Sequence, residues 1–220
     1  MVFVDFSNPY LRRYLERAYL SEHEANLDKV RLTVPRCIAD GKGDPRPLAA
    51  VMDIDEVVLA NIHMNVDRES GFFACDYYRA PDGRPWPRDD TRLNPLLPGA
   101  KKLLEAFKSH DVTIFFITGR AESLRAETVE NFEYVGLAGP PGRALFATEQ
   151  LLDAACGQLA MCPDAQLPAT GKSIRPFKEA RRAEIASSYR IIMNVGDQAS
   201  DLGNYGDMQI LLMHPFYRTA

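Results

Sequence analysis

Asp53 and Asp55 are two carboxylates one residue apart, directly after the apolar run at residues 49–52. A continuously apolar run predicts a strand buried on both faces of a parallel sheet, and residues i and i+2 of an extended chain point the same way. Ligands of open parallel sheets bind at the carboxyl ends of the strands, where two carboxylates repel each other unless a cation or a shared proton intervenes. The pair therefore predicts a metal site, an acid/base couple or both, although turn or helix-capping aspartates would give the same pattern.

Two further buried strands are predicted at residues 112–117 and 191–195. Thr118-Gly119-Arg120 follows the first of them, and Gly196-Asp197 with Asp201 follows the second. If the three strands are neighbours, four carboxylates and one hydroxyl line a single crevice. Mg²⁺ takes hard oxygen ligands and usually keeps several waters, so the pattern predicts a magnesium site at this edge of the sheet.

A crevice with four carboxylates repels an anionic substrate unless a metal and a lysine neutralise the charge. Lys178 is the favoured lysine, because Pro176 can start a helix at its first position and so aim Lys178 at the crevice. Lys172 is the alternative, within residues 169–173, which end like a phosphate-binding loop. The leading glycine of that loop would fall at Gln166, so we interpret this match as chance.

The elements that must position these residues alternate between strands and helices. Helical periodicity is predicted over residues 8–32 (one or two helices), 57–64, 98–108, 123–136, 144–152 and 175–187, and short strands over 158–162 and 209–213. Glu56 is interpreted as a residue of the first helical turn after the aspartate pair. The alternation predicts an α/β fold with a Rossmann-like, mainly parallel sheet flanked by helices. We expect one domain over 1–220, with its core at about 46–60 and 98–214 and a small helical or irregular cap or auxiliary part at about 1–45 and 61–97.

The composition of the chain excludes several classes of protein. The 220 residues carry a formal net charge of −4 with scattered basic residues, which gives no footprint for a nucleic acid polymer. No apolar run has the length of a membrane span, and the N-terminal residues lack the pattern of a signal peptide. We therefore expect a cytoplasmic protein, or an exported one whose leader has been removed. The cysteines match no zinc spacing and are expected to be reduced thiols, and the histidines are expected to be structural. Oligomeric state is not readable from these features.

The ordered motifs resemble a known family. Asp53-x-Asp55, Thr118, a lysine and Gly196-Asp197-x-x-x-Asp201 are similar to the four motifs of the haloacid dehalogenase (HAD) superfamily. Several finer matches, over most of residues 46–217, resemble one branch of this superfamily, the class C (subfamily IIIB) acid phosphatases, which include 5′-nucleotidases. The matching segments are Asp53 through Asn61, Pro98-Gly99-Ala100, Thr118-Gly119-Arg120, Lys178-x-x-Arg181 and Gly196 through Gly203.

The resemblance implies a role for each matching residue. Asp53 would be the nucleophile that forms an aspartyl-phosphate, and Asp55 the general acid/base. Mg²⁺ would be held by Asp53, the backbone carbonyl of Asp55 and Asp197, while Asp201 orders metal-bound water. Thr118 and Gly119 with Lys178 would bind the phosphoryl oxygens.

The expected activity is Mg²⁺-dependent hydrolysis of a small phosphomonoester, with a nucleoside 5′-monophosphate as one candidate substrate. A phosphotransferase that uses the same intermediate and a non-catalytic ligand-binding or storage relative stay open as alternatives, although the intact Asp53 argues against the second. Five residues are candidate contacts to the substrate: Asn61, Tyr78, Trp86, Arg120 and Tyr217.

Overall fold

Five parallel strands form the central sheet of the computed structural model, which describes residues 9–41, 43–60, 94–166 and 174–212, with side chains of the first helix from residue 17 onward. In chain order the helices and strands are α1 (Pro9–Asp40), β1 (Leu48–Met52), α2 (Ala100–Ser109), β2 (Thr113–Ala121), α3 (Arg125–Tyr134), β3 (Ala138–Gly139), β4 (Phe146–Ala147), α4 (Thr148–Leu152), β5 (Leu159–Cys162), α5 (Arg175–Ser188), β6 (Arg190–Gly196) and β7 (Met208–Leu211). The large sheet has the order β5-β2-β1-β6-β7, and β3 pairs with β4 separately. The predicted α/β class with a mainly parallel sheet flanked by helices is confirmed.

The continuous apolar character of β1 arises because both of its faces are covered. Ala50 and Met52 face the main core, whereas Ala49 and Val51 face a second core on the opposite side of the sheet. The main core receives side chains from α1, α2 and α3, and the second core is covered by α5. A strand that is buried on both faces leaves the end of the sheet as the place where its polar residues emerge.

The first helix is longer than the sequence predicted. The helical prediction ended at residue 32, but α1 continues through Pro35 to Asp40. Val34 and Cys37 are buried in the main core on this extension, so tertiary packing compensates for the hydrogen bond that a proline removes from a helix. α1 also packs against α2, where Gly99 has φ of 87° and an added Cβ would lie 3.1 Å from Leu27 Cβ.

The helix predicted at residues 57–64 is wrong for the part that the structure describes. Residues 56–58 form a turn, closed by a bridge between Asp55 and Leu59, and residues 61–64 lie outside the described residues. Glu56 adopts a left-handed conformation with φ of 57° and is buried, so it is not the first-turn helical residue that we expected. The apolar residues 57–60 of this segment are all buried.

The remaining predicted elements agree with the structure within a few residues, apart from residues 144–152. That stretch contains the short strand β4 followed by the short helix α4. Within the described ranges, no helix is both long and apolar enough to cross a membrane.

Candidate active site

β1, β2 and β6 are parallel neighbours that run to the same edge of the sheet, where β2 continues past the ends of the other two. Met52 is paired with Phe116 of β2 on one side and with Val195 of β6 on the other. The Asp53 amide donates to the Val195 carbonyl at 3.0 Å. β2 and β5 are added on one side of β1, and β6 and β7 are then added on the other side. The strand order therefore reverses between β1 and β6, and parallel sheets bind their ligands in the crevice at such a point.

Three carboxylates meet at this point. Oxygen atoms of Asp53, Asp197 and Asp201 all lie within 4.8 Å of one another, and the three residues are 7%, 3% and 4% exposed. Asp201 belongs to a 3₁₀ turn (Ala199–Asp201), and its Oδ2 accepts a hydrogen bond of 2.8 Å from the Gln198 amide. The Gln198 side chain in turn donates to Asp197 Oδ2 at 2.7 Å. The loop after β6 therefore holds two of the three carboxylates at fixed positions.

Gly196 is required by the close packing of this loop. A Cβ added at residue 196 would lie less than 3.0 Å from the Cβ, Cγ and Oδ2 of Asp201. Only a residue without a side chain leaves Asp201 space to fold back over the end of β6. This contact explains why glycine precedes Asp197 in the sequence.

Lys178 supplies the positive charge of the cluster. It lies in the first turn of α5, which begins at Arg175, and it is buried. Its Nζ is 3.1 Å from Asp53 Oδ1 and also contacts Asp201 Oδ1. Burial alone would lower the pKa of Lys178, but the charges of Asp53 and Asp201 raise it above its ordinary value. The lysine therefore stays protonated between the two carboxylates.

One ammonium does not balance three buried carboxylates. Burial raises the pKa of Asp53 well above its ordinary value against the attraction of Lys178, and the charges of Asp201 and Asp197 raise it further. The pKa of Asp197 rises to about 7, first through burial and then through Asp201. No group in the described ranges donates a well-aligned hydrogen bond to Asp53 Oδ1. A hard divalent cation fits this donor set, because it accepts carboxylate oxygens and restores their ionised form.

Asp55 is directed away from the three carboxylates. It forms a two-point ion pair with Arg120, in which Nη2 lies 2.6 Å from Oδ1 and Nε lies 3.0 Å from Oδ2. Arg120 Nη1 donates to Thr128 Oγ1 of α3 at 3.1 Å. The side chain of Asp55 is therefore not part of the acidic cluster, and its backbone carbonyl stays the predicted metal ligand. Arg120, one of the predicted substrate contacts, uses three of its five N–H groups on Asp55 and Thr128.

The end of β2 contributes a hydroxyl and an open backbone position. Thr118 is fully buried, and its Oγ1 accepts a hydrogen bond of 3.1 Å from the Arg120 amide. Gly119 is exposed, and among the described residues the nearest atom to a Cβ added there would be Ile174 Cδ1 at 3.7 Å. The backbone of residue 119 is therefore accessible beside the crevice, as the phosphate-binding prediction requires.

Arg182, which the sequence did not single out, holds the loop that follows β6. The fully buried Arg182, one helical turn after Lys178, donates to the carbonyls of Asp201 at 3.0 Å and Ser200 at 2.9 Å. Arg181, which carried the family resemblance, pairs with Glu184 instead. The spacing of four residues from Lys178 was the only signal in the sequence for Arg182, since it places both on one face of a helix.

His23 connects α1 to the turn that follows Asp55. Its ring nitrogens lie 3.1 Å from the Glu56 carbonyl oxygen and 3.3 Å from the Pro98 carbonyl oxygen. Burial lowers the pKa of His23, although both of these contacts raise it. The expectation of a structural histidine is confirmed at this position.

Several predicted site residues lie outside the described residues. They are the substrate candidates Asn61, Tyr78, Trp86 and Tyr217, and the alternative lysine Lys172 with its surrounding segment. Of the predicted catalytic, phosphate-binding and metal-binding residues, the structure brings together all seven at one end of the sheet: Asp53, Asp55, Thr118, Gly119, Lys178, Asp197 and Asp201.

Comparison with known proteins identifies similar chains. The family model of the HAD superfamily, subfamily IIIB (Acid phosphatase), matches residues 6–220. Acid phosphatase 1 of Solanum lycopersicum is 27% identical over 153 residues, which are 69% of this chain and 51% of that protein. The chain thus spans about half the length of this relative.

Solved structures share the fold. The class C acid phosphatase from Bacillus anthracis superposes with a TM-score of 0.61 at 20% sequence identity, over 91% of this chain and 80% of that one. The structure of that enzyme with tungstate bound gives a TM-score of 0.60 at 18% identity, with the same coverage of both chains.

Proposed function

Since the chain belongs to the HAD superfamily, subfamily IIIB (acid phosphatase), we propose that it is a Mg²⁺-dependent phosphomonoesterase that works through an aspartyl-phosphate at Asp53. The observation that carries the proposal is the cluster of Asp53, Asp197 and Asp201 around Lys178 at the end of the central strand. A second carboxylate, Asp55, lies two residues from the nucleophile and is held apart from the cluster by Arg120.

The acidic cluster would hold the metal. Asp53 and Asp197 would bind Mg²⁺ directly together with the backbone carbonyl of Asp55, and Asp201 would order metal-bound water. When bound, the ion would neutralise the charge that a carboxylate and a phosphate monoester bring into the same small volume. The raised pKa of Asp197 supports this assignment, because carboxylates buried with too little positive charge are the groups that a cation stabilises.

The reaction would proceed in two steps on side chains of this chain. In the first, a carboxylate oxygen of Asp53 forms a bond to phosphorus while the ester P–O bond breaks, and Asp55 gives a proton to the leaving oxygen. In the second, Asp55 takes a proton from water, the water oxygen attacks the phosphorus, and the bond to Asp53 breaks. Phosphate leaves, and both aspartates return to their starting state.

Three groups would hold the phosphoryl oxygens. Lys178 already lies 3.1 Å from Asp53, so a phosphoryl group on Asp53 would be within its reach. Thr118 and the accessible backbone of Gly119 lie at the end of the adjacent strand β2. Phosphoryl transfer depends mainly on positioning and charge neutralisation, which is what hydroxyl, backbone and ammonium donors provide.

Small phosphomonoesters are the proposed substrate class, and nucleoside 5′-monophosphates are the first group to test. The fold neighbour that was solved with tungstate supports an oxyanion site, because tungstate is tetrahedral like phosphate. The family resemblance to phosphatases that include 5′-nucleotidases supports the choice of nucleotides.

The test uses phosphate release and trapping of the intermediate. Wild-type protein with Mg²⁺ should release phosphate from p-nitrophenyl phosphate and from nucleoside monophosphates, and EDTA should stop turnover until Mg²⁺ is restored. Asp53→Asn should abolish activity and remove the phosphoryl adduct that acid quenching and peptide mass spectrometry find on the wild-type peptide. Asp111→Asn is the control, because Asp111 is exposed at the opposite end of β2 and asparagine tolerates its φ of 56°. Turnover of Asp53→Asn at the wild-type rate would refute the mechanism.

A further inference from the structure

We infer that Arg120 is a positioning residue for the acid/base carboxylate, and that it acts through its two-point contact with Asp55. The inference rests on the proposed function, because it concerns the proton transfers of that reaction. It changes the role of Arg120 from a contact to the substrate into a fixed support for Asp55.

The geometry of the ion pair supports a positioning role. Arg120 and Asp55 are joined by Nη2 to Oδ1 at 2.6 Å and by Nε to Oδ2 at 3.0 Å, so both carboxylate oxygens are held. Two parallel contacts fix the orientation of a carboxylate plane, whereas one contact leaves it free to rotate. The side chains of Arg120 and Asp55 are 9% and 20% exposed, so little water competes for the pair.

Arg120 is also held at two other places, one on its guanidinium and one on its backbone. Nη1 donates to Oγ1 of the fully buried Thr128 at 3.1 Å, and the Arg120 amide donates to Thr118 Oγ1 at 3.1 Å. Pairing of β2 with β5 is irregular between Thr118 and Ala121, the part of the strand that contains Arg120. The burial of Arg120 is offset by the charge of Asp55, so the pKa of the arginine is raised overall.

This contact separates two carboxylates that would otherwise compete for the same charges. Asp53 is held by Lys178, and Asp55, only two residues away, is held by Arg120. Without the guanidinium, the Asp55 side chain would be free to rotate toward the positive charge of Lys178. A proton donor that is misplaced by about 1 Å loses about 100-fold in rate, so the separation matters for the chemical step.

The signature of a positioning role is dependence on the leaving group. Esters of poor leaving groups, such as alkyl phosphates, need a proton in the transition state, whereas p-nitrophenolate leaves with little help. The quantity to measure is kcat/KM, because it reports only the steps up to formation of the phosphoenzyme. Arg120→Lys keeps the positive charge but loses the two-point geometry. We expect kcat/KM to fall about 100-fold for an alkyl phosphate and less than about 5-fold for p-nitrophenyl phosphate.

Two further variants show whether Arg120 acts through Asp55. Asp55→Asn should give the same dependence on the leaving group, and the double variant should be no worse than Asp55→Asn alone, because coupled residues are not additive. Thr128→Val removes only the contact to Nη1 and should give a weaker loss of the same kind. It also provides a second variant if Arg120→Lys does not fold.

Arg125→Lys is the matched control. Arg125 is a buried arginine five residues further on, and it pairs with Glu122 and the Leu151 carbonyl. Any change in kcat/KM that Arg125→Lys causes should be the same for both esters.

The outcomes are distinct. Equal losses on the two esters in Arg120→Lys, or additive losses with Asp55→Asn, would overturn the positioning role. Absence of phosphate release by the wild-type protein would instead refute the proposed function.

Discussion

Gly196 offers a direct test of how tightly the acidic cluster is packed. A Cβ at this position would lie less than 3.0 Å from the Asp201 Cβ, a separation that real Cβ atoms essentially never show. The Asp201 Cβ is part of a 3₁₀ turn and is not the end of a flexible side chain, so Gly196→Ala must displace the backbone of that turn. The displacement needed is about 1 Å, and it moves the carboxylate that contacts Lys178.

Two quantities should change in this variant. Overpacking of a well-packed region costs about 1–3 kcal/mol, so the free energy of unfolding should fall by that amount. The larger effect should be on activity, because a misplacement of about 1 Å near the reacting groups costs about 100-fold. We therefore expect kcat/KM for p-nitrophenyl phosphate to fall at least about 100-fold, with weaker activation by Mg²⁺.

The assay pairs urea denaturation with Mg²⁺-dependent phosphate release. Gly136→Ala is the control, since Gly136 has φ of 72° and no atom of the described part of the chain lies within 4 Å of an added Cβ. That substitution should cost about 1–2 kcal/mol through backbone strain alone and leave kcat/KM unchanged. If Gly196→Ala lost stability but kept its activity and its Mg²⁺ activation, the argument that Asp201 must be held in place would be refuted.

Two further predictions concern the charge of the site and its support. The pKa of Asp197 is raised from its ordinary value of 3.8 to about 7 in the folded protein. Between these pH values the folded state binds more protons than the unfolded state. Without metal, the free energy of unfolding should therefore fall by a few kcal/mol as pH rises through this interval. Asp197→Asn should flatten that dependence in EDTA-treated protein, and an equally steep urea-denaturation profile would contradict the assignment. Arg182→Lys should lose about 1–3 kcal/mol of stability, because a single Nζ cannot reproduce the guanidinium geometry in which Nη1 bonds the Asp201 carbonyl while Nη2 bonds the Ser200 carbonyl and Glu179. It should also shift the Mg²⁺ activation curve, whereas Arg181→Lys should leave the curve unchanged, and equal curves for both variants would refute this role of Arg182.

The arrangement of the main chain around the site could be predicted from the sequence. Three apolar runs end at Asp53, Thr118 and Gly196, and parallel sheets bring such ends to a common edge. The structure has these runs as β1, β2 and β6, side by side. The prediction was correct because a strand that is buried on both faces is a continuous run of apolar residues, which is easily recognised in the sequence.

Local conformation after Asp55 could not be predicted in the same way. Residues 57–60 are apolar, and a short apolar segment has no periodicity that separates a helix from a buried turn. The left-handed conformation of Glu56 depends on tertiary contacts, such as the one between its carbonyl and His23 on α1. Long-range packing therefore decided the structure where local preference was weak.

The contacts of individual arginines could also not be predicted from the sequence. Arg120, Arg181 and Arg182 have the same side chain, yet the structure directs the first to Asp55, the second to Glu184 and the third to two backbone carbonyls. Long flexible side chains have many accessible rotamers, and the fold selects among them by what lies within reach.

The position of β1 between β2 and β6 has a consequence for folding during synthesis on the ribosome. β2 emerges soon after β1, but β6 is translated much later, near the C-terminal end of the described chain. Until then one edge of β1 carries unpaired amides and carbonyls, which are sites of unwanted strand pairing. Asp197 and Asp201 are also absent from the nascent chain during this interval. The acidic cluster is therefore completed only when the last part of the sheet folds, and until then a growing chain carries Asp53 without the two carboxylates beside which it lies in the folded protein.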